Sequence, residues 1–432
     1  MTVAHSVVLV RTHDLIMLSL RSLAGPPGTL KRVHFMSVTL RPLVCAALVF
    51  PSVLMAANFP SFQRHVIDTF PAGYQVAVAE INGDGRPDVI ALSTEVNRVD
   101  WYENPNWKAH AMARTARNID LAPRDLDGDG KAEIVLASGF YFSESTRGGQ
   151  LQWLEPPADS TNLWRVHPIA VDPVVHRLRW GDLDGDGRPE LVHAPLFGPG
   201  SQDTVAPKPA HLWAFRPPRE LRSGPWAVWK IDETLTVLHG IHVSDLDHDG
   251  RDEILTASFE GIHRFDCERD GQEAHWVKTV IGVGAEPKSS APGTARGSSE
   301  VAPGRLGGGK DFIAAIEPWH GESVVTYTRS GPADPWQRHV LDDTLKESHA
   351  LVVADLDGDG RDEIVAGWRG GEGGIALYRA EGNSGEPWTK TRLDTGIAVE
   401  GMVAADLNSD GRLDLAAIAG RSNLLVWYEQ RR

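Results

Sequence analysis

One acidic nine-residue motif recurs along this chain and limits the folds that it can adopt. Its clearest copy, DLDGDGRDE at 355–363, places carboxylates at positions 1, 3, 5 and 9 between two apolar runs. Oxygen ligands at this spacing let a short loop wrap one hard cation, and the glycines permit the tight turn. Ca²⁺ suits such a loop better than Mg²⁺, which keeps several waters and requires stricter geometry.

Six copies of the motif keep their ligands. A seventh copy, GRLGGGKDF at 304–312, keeps the frame but has lost the acidic side chains, so we expect it to bind no metal. The predicted calcium ligands, for up to six Ca²⁺, are Glu80, Asn82, Asp84 and Asp88; Asp125, Asp127, Asp129 and Glu133; Asp182, Asp184, Asp186 and Glu190; Asp245, Asp247, Asp249 and Glu253; Asp355, Asp357, Asp359 and Glu363; and Asp406, Asn408, Asp410 and Asp414.

The spacing of the copies indicates the architecture. Consecutive loops begin 45, 57, 63, 59, 51 and 51 residues apart, and several strand-like runs lie between them. A period near fifty with several strands per repeat is typical of propeller blades. The loops resemble the FG-GAP/VCBS repeats of bacterial and integrin-type propellers over residues 62–430. That resemblance implies an all-β, seven-bladed β-propeller with calcium-binding DxDGDGxxD loops on one face.

The two ends of the repeat region predict how the ring closes. The run FQRHVID at 62–68 reads as an outer strand with no acidic loop before it. The last third strand, LLVWYEQ at 424–430, has no outer partner after it. We expect these two runs to pair, which closes the ring and removes exposed sheet edges. Residues 58–432 then form one propeller domain.

Composition and the N-terminal segment suggest an exported protein. The formal net charge of −15 argues against a nucleic-acid partner, and the acidic loops account for most of it. Residues 1–57 read as an upstream extension and a signal peptide that starts at Met36, which predicts a secreted or periplasmic protein with no membrane span in the mature chain. Cys267 alone would remain after cleavage, so calcium would replace disulfides as the stabiliser.

Equivalent positions in the repeats predict a site on the opposite face. If the blades are equivalent, the residues six positions before each loop start ring the mouth of the central channel. Three histidines and one glutamate at one structural position exceed what chance polarity supplies. These positions hold Tyr74, Ile119, His176, His239, Ser298, His349 and Glu400.

The turns after the second strands should deliver further groups to this mouth. Aromatic faces rimmed by carboxylates and arginines suit a sugar, whose ring face is apolar and whose hydroxyls need polar partners. The blander interpretation is a water-filled polar channel with aromatics packed between blades. The predicted ligand-binding side chains are Trp319, Trp368, Glu260, Arg421 and Tyr74.

Two phrases point to a more specific family. HRLRWGDLDGDG at 176–187 and EPWHG at 317–321 resemble the propeller part of aldos-2-ulose dehydratase/isomerase. The resemblance implies dehydration of a keto-sugar by β-elimination, in which a base removes the proton α to a carbonyl and a β-hydroxyl leaves. The predicted catalytic residues are His176, His239, His349, Glu400, Arg177, Arg369, Glu317 and His320.

Within this set we expect one of His176, His239 and His349 to be the base, since histidine titrates near neutral pH. Arg177 or Arg369 would stabilise the enolate. A Zn²⁺ held by two or three of the histidines is a further expectation.

Two other classes of function remain open at this point. One is a non-catalytic carbohydrate-binding or adhesion module that uses the same mouth, and the other is a metal-stabilised scaffold for a partner protein.

Overall fold

The computed structural model describes residues 59–431, except 271–272 and 383–384. The predicted extension and signal peptide therefore lie outside the described residues, and the secreted or periplasmic location stays a prediction. Among the residues that the structure describes, we find no helix with the length and apolar character needed to cross a membrane.

The described residues form an all-β architecture of seven four-stranded antiparallel sheets. In chain order the strands are β1 (Ser61–Thr69), β2 (Gly73–Ala79), β3 (Asp88–Ser93), β4 (Val99–Glu103), β5 (Lys108–Ala113), β6 (Asp120–Arg124), β7 (Glu133–Ser138), β8 (Gln150–Glu155), β9 (Arg165–Val171), β10 (Val175–Gly181), β11 (Glu190–Pro195), β12 (Leu212–Arg216), β13 (Ala227–Asp232), β14 (Gly240–Ser244), β15 (Glu253–Ser258), β16 (Gly261–Asp270), β17 (Glu273–Gly282), β18 (Glu300–Leu306), β19 (Lys310–Glu317), β20 (Ser323–Thr328), β21 (Gln337–Asp342), β22 (Ser348–Ala354), β23 (Glu363–Trp368), β24 (Gly374–Ala380), β25 (Trp388–Thr395), β26 (Gly401–Ala405), β27 (Asp414–Ala419) and β28 (Leu424–Arg431).

Each sheet is one blade of a ring. Blades 1 to 6 take four consecutive strands each, from β2–β5 to β22–β25. Blade 7 combines β26, β27 and β28 with β1, and β1 pairs antiparallel with β28 from Ser61 opposite Arg431 to Thr69 opposite Leu424. The first strand of every blade contacts the first strand of the next, and β26 contacts β2. The seven-bladed propeller and its closure by the N-terminal strand are therefore confirmed.

The second strand of each blade forms the core. Strands β3, β7, β11, β15, β23 and β27 are buried along their whole length. Both faces of such a strand are covered by neighbouring blades, so its sequence is a continuous apolar run rather than an alternation. Apolar clusters between adjacent blades, such as the one around Trp101 and Leu136, account for the packing of blade on blade.

The acidic loops join the first and second strands on one face. The fourth residue of each intact loop has a positive φ, and in blades 4 and 7 His248 and Ser409 adopt this conformation (φ 63° and 60°) in place of glycine. In blade 5 the loop is reduced to a tight hairpin, with Leu306 opposite Lys310 in the strand register. That hairpin lacks the acidic side chains of the other blades, as the sequence indicates.

Candidate functional site

Side chains from five blades meet at the channel mouth opposite the acidic loops. The rings of His176 and His239 lie 4.7 Å apart between centroids, and those of His239 and His349 lie 5.1 Å apart. The Tyr74 hydroxyl lies 3.2 Å from His176 Nε2 and 3.1 Å from His349 Nε2. Residues at equal offsets from the loops thus converge on one axis, with Glu400 as the fifth member.

Backbone acceptors orient two of these histidines. His239 Nδ1 lies 2.9 Å from the carbonyl oxygen of Ser299 and 3.1 Å from Glu300 Oε1. His349 Nδ1 lies 2.6 Å from the carbonyl oxygen of Glu400. Carbonyl and carboxylate oxygens only accept hydrogen bonds, so both Nδ1 atoms carry protons and both Nε2 lone pairs are available at the mouth.

His320 comes from the turn after β19 and joins the cluster from the side. Its Nε2 lies 2.9 Å from His239 Nε2, and its ring stacks on Trp319 at 4.2 Å between centroids. Its backbone φ of 49° is unusual for a residue with a Cβ, and such strain is often found at functional sites. Arg369 Nη2 donates to His320 Nδ1 at 3.1 Å, which favours a proton on Nε2 in the neutral ring.

His176 has a different environment from the other three. Arg177 Nη1 lies 3.2 Å from His176 Nε2, so that nitrogen accepts and faces Tyr74 and Arg177. Its Nδ1 is buried without a hydrogen-bond partner among the described residues. His176 therefore lies behind Tyr74 rather than beside His320.

Two arginine–carboxylate pairs balance the charge at the mouth. Arg177 Nη2 lies 3.1 Å from Glu300 Oε1, and Arg369 Nη1 donates to Glu400 Oε2 at 2.6 Å. Arg421 is exposed at the rim and bonds Glu347 at 3.0 Å. Each cation near the cavity thus has an anionic partner.

Burial keeps the histidines neutral. Desolvation, reinforced by nearby guanidinium groups, holds the pKa of His176 and the pKa of His349 well below the usual value. Desolvation and the neighbouring His239 have the same effect on the pKa of His320. Burial also lowers the pKa of His239, opposed by Glu300, and it raises the pKa of Glu400 despite Arg369. The mouth therefore contains neutral imidazoles near neutral pH.

A cavity of about 460 Å³ opens over this cluster, which is within the range of small-molecule sites. One side is polar, with Arg369, Glu400 and the histidines, and the other is apolar, with Phe140, Phe142 and Leu196. Leu196 lies in the turn PLFG at 195–198, one of the turns after second strands that the sequence predicts at this mouth, whereas nothing in the repeat pattern singles out Thr94. The lining residues are Tyr74, Thr94, Ile119, Phe140, Phe142, His176, Leu196, His239, Trp319, His320, Arg369 and Glu400.

The placement predicted for Trp368 is wrong. Its side chain is 7% exposed and packs between blades 5 and 6 with Leu306 and Phe312. Gly374 leaves room for the indole, since a Cβ there would lie 2.5 Å from the ring. Trp368 ends a strand covered on both sides, so its ring completes the core instead of lining the mouth.

Glu317 and Glu260 also have structural partners away from the cavity. Glu317 is fully buried and accepts hydrogen bonds from Tyr327 at 2.6 Å and Arg338 at 2.8 Å. Glu260 accepts from the backbone and hydroxyl of Thr236 at 2.8 and 2.6 Å. These contacts occupy the carboxylates, so we no longer assign Glu317 to catalysis or Glu260 to ligand binding.

Three histidines at the mouth have the geometry of a metal site. Ligand atoms of His239, His320 and His349 all lie within 4.8 Å of one another. The acceptors behind His239 and His349 fix the tautomer that a metal ligand needs, a common arrangement around metal-bound histidines. His320 fits once the Arg369 N–H moves away from its Nδ1. The set fits Zn²⁺, with His320 in the place expected for His176.

The acidic loops have the geometry of cation sites on the other face. Carboxylate oxygens lie within 4.8 Å of one another in the loops of blades 2, 3, 4 and 6. In blade 6, Glu363 is fully buried and its Oε1 has no hydrogen-bond partner among the described residues. Burial, reinforced by the neighbouring loop aspartates and only partly offset by backbone N–H donors, raises the pKa of Glu363 to about 8 and the pKa of Glu133 to about 7. A bound cation fits this arrangement.

Fold and loops together define the chain as a seven-bladed β-propeller with a recurring acidic loop on one face. The FG-GAP-like repeat model matches residues 80–136 and 355–417. A second family model, described as the β-propeller domain of aldos-2-ulose dehydratase, matches residues 148–330. The second match includes His176, His239 and His320.

One curated protein to which the chain is similar is the aldos-2-ulose dehydratase of Phanerodontia chrysosporium. This chain is 25% identical to it over 379 residues, which cover 80% of this chain and 40% of that protein. The chain therefore spans about two fifths of the relative's length.

Similar solved structures include two rhamnogalacturonan lyases. YesW is 16% identical, with a TM-score of 0.47, and covers 85% of this chain and 75% of its own. The Bacillus licheniformis enzyme is 14% identical, with a TM-score of 0.45, and covers 85% of this chain and 72% of its own. Neither likeness bears on function.

Proposed function

We propose that the channel mouth binds a keto-sugar and dehydrates it by β-elimination. The observation that carries this proposal is the convergence of His239, His320 and Glu400 on one cavity of about 460 Å³, with a ligand atom of His349 within 4.8 Å of those of His239 and His320. Similarity to aldos-2-ulose dehydratase supports the reaction class. An apolar wall opposite a polar one suits a sugar, which has an apolar ring face and polar hydroxyls.

The charge balance favours a neutral substrate over a uronide. Arg369 is the only arginine or lysine among the residues that line the described cavity, and it is paired with Glu400. Arg177 lies behind them and is paired with Glu300. A uronate carboxylate would therefore find no uncompensated side-chain cation.

We assign proton abstraction to Glu400. Its Oε2 accepts from Arg369, its Oε1 receives no hydrogen bond from the described residues, and its side chain lines the cavity. In the step, the bond between the substrate's α-carbon and its hydrogen breaks and the proton moves to Glu400 Oε1. The electron pair forms the carbon–carbon double bond, and the β-hydroxyl leaves as water with a proton from the Tyr74 hydroxyl, which lies 3.2 Å from His176 Nε2.

His239, His320 and His349 would hold a Zn²⁺ at this mouth. When bound, the ion supplies a Lewis acid for the substrate carbonyl and the developing enolate. The residues around it have separate tasks: Glu300 and the Ser299 carbonyl keep His239 in the correct tautomer, and Arg369 orients Glu400.

Three single variants test the proposal with a keto-sugar such as anhydrofructose, followed by the ultraviolet absorbance of the conjugated product. We expect Glu400→Gln to lower kcat by about 10²- to 10⁴-fold with the zinc content retained. His239→Ala should lose both activity and zinc. Glu260→Gln, the same change outside the cavity, should behave as wild type. Wild-type rates in the first two variants would reject the proposal, and sugar binding without any new absorbance would leave a non-catalytic carbohydrate module.

We further propose that Ca²⁺ occupies acidic loops on the opposite face and stabilises the ring. The buried, unpartnered Oε1 of Glu363 supports a cation in blade 6. Calcium titration of the metal-free protein, followed by its melting temperature, tests this. A melting temperature that calcium leaves unchanged would reject it.

A further inference from the structure

The loops of blades 2 and 3 have the same acidic composition but different surroundings. In blade 2, one oxygen of each of three carboxylates accepts a backbone N–H of the loop: Asp127 Oδ1 at 3.1 Å, Asp129 Oδ1 at 2.8 Å and Glu133 Oε2 at 2.8 Å. Their second oxygens receive no side-chain donor among the described residues. Ligand atoms of Asp125, Asp127 and Glu133 lie within 4.8 Å of one another, which is the arrangement that a cation site presents.

In blade 3 a guanidinium group fills the corresponding space. Arg216 Nη1 donates to Asp186 Oδ2 at 3.0 Å, and Nη2 lies 2.7 Å from Asp184 Oδ2. Arg216 Nε donates to Glu190 Oε1. These three oxygens are the equivalents of those that blade 2 leaves without a donor, so one side chain contacts the whole set that would face a cation.

The position of Arg216 is set by the third strand. Its side chain is 16% exposed, and its guanidinium carbon lies 4.5 Å from the centroid of Trp229 on the outer strand. In the strand register, Arg216 and Trp229 correspond to Glu155 and His167 of blade 2, which lie 2.7 Å apart between Oε2 and Nε2. In blade 3 an arginine packed on a tryptophan thus occupies the positions that a hydrogen-bonded glutamate and histidine occupy in blade 2.

Other blades show that the glutamate–histidine pair is the common arrangement. Blade 1 has Glu103 and His110 at 3.0 Å, and blade 7 has Glu429 and His65 at 2.8 Å. In these blades the glutamate on the third strand forms a hydrogen bond with the histidine on the outer strand and places no positive charge in the acidic loop. Blade 6 has Arg379 at this position, with its Nη1 3.3 Å from Asp357 Oδ2, and Glu363 Oε1 there has no hydrogen-bond partner among the described residues.

We propose that Arg216 takes the place of the bound cation in blade 3, so that this loop is stabilised by an internal ion-pair cluster and binds no calcium. A guanidinium held by three carboxylates fixes the loop's shape without an external ion. The loop residues Asp182, Asp184, Asp186 and Glu190 therefore act as structural partners of Arg216. The inference rests on calcium binding in blade 2 and does not depend on the chemistry at the mouth.

Matched variants in the two blades test this inference with calcium alone as the probe. Native mass spectrometry and equilibrium dialysis count the Ca²⁺ bound per full-length chain. We expect Asp127→Ala in blade 2, which removes the ligand oxygens at this position, to lose one ion and Asp184→Ala in blade 3 to lose none. Arg216→Gln should gain one ion relative to wild type, and calcium should raise its melting temperature more than that of wild type.

The ion counts of the three variants test the role of Arg216 separately from calcium binding in blade 2. Loss of one ion in Asp184→Ala, or no gain in Arg216→Gln, would overturn the role of Arg216. No loss in Asp127→Ala would overturn calcium binding in blade 2, and with it the comparison from which the role of Arg216 is inferred. Sugar dehydration plays no part in any of these readouts.

Discussion

The two faces of the propeller follow opposite rules. On the loop face the same acidic motif recurs in six blades, and its departures, such as Arg216, are local exchanges of one charge partner for another. On the mouth face the equivalent position holds tyrosine, isoleucine, histidine, serine or glutamate, and the residues contact each other across the axis. The repeated residues maintain the ring, whereas the unrepeated ones make one site that no single blade contains.

The largest expected difference between the faces is in their response to chelation. Removing calcium should lower the melting temperature by on the order of 10 °C or more, because each loop saturated at 100 times its Kd contributes about 2.7 kcal/mol. Scanning calorimetry of the full chain with excess calcium or a calcium-selective chelator measures this. Equal melting temperatures would remove the structural role that we give to the loop face.

Single loop substitutions sharpen the comparison between blades. Asp127→Ala should lower the free energy of unfolding by about 2.7 kcal/mol in calcium and by much less in chelator, since it removes one ion's contribution. Asp184→Ala should cost the same with and without calcium, because its partner is Arg216. Denaturant unfolding at two calcium concentrations measures both. A calcium-dependent cost in the blade 3 variant would contradict this difference.

Glu300, which positions His239, should affect the mouth and leave the calcium loops unchanged. Glu300→Gln removes the carboxylate from His239 Nδ1 and from Arg177, and we expect a 10- to 100-fold loss of dehydration or zinc affinity. The conservative change should leave the calcium response unaltered. A zinc titration alongside kcat and KM separates positioning from folding, and unchanged zinc affinity with unchanged kcat would remove Glu300 from the site.

The smallest expected effect is a pH dependence of calcium stabilisation. Without calcium the pKa of Glu363 rises to about 8 and that of Glu133 to about 7, above the unfolded value near 4.5. A raised carboxyl pKa gives stability that is present below the unfolded pKa and is lost as pH rises through the folded pKa. The gain from calcium should therefore grow between pH 5 and 8, by on the order of 1 kcal/mol per loop. A gain that is flat over this range would contradict the assignment.

The sequence predicts most of the ring because the repeat is local. The motif marks where each first strand ends, so positions in different blades can be matched by their distance in sequence from the loop. This matching predicts the pairing of β1 with β28 and the convergence of His176, His239 and His349. The direction in which a side chain points at the end of a strand cannot be predicted from its distance in sequence from the loop. Trp368 follows a register shift between Ser348 and Ala350, and its ring packs into the core where Gly374 makes room.

Partners that are distant in sequence also escaped prediction. Glu317 is bound by Arg338 from the outer strand of its own blade, and Arg216 contacts the blade 3 loop from 26 residues beyond Glu190. No pattern in the loop itself signals such a donor. Comparing the third-strand residue across blades, glutamate in three and arginine in two, is the signal that could have found it.

The pairing of β1 with β28 has a consequence for how the molecule is made. The last blade cannot be completed until the final strand has left the ribosome, so the first strand must wait, unpaired, through the synthesis of more than three hundred residues. A stop codon that deletes β28 would leave β27 and β1 without their shared neighbour and open the circle at one seam.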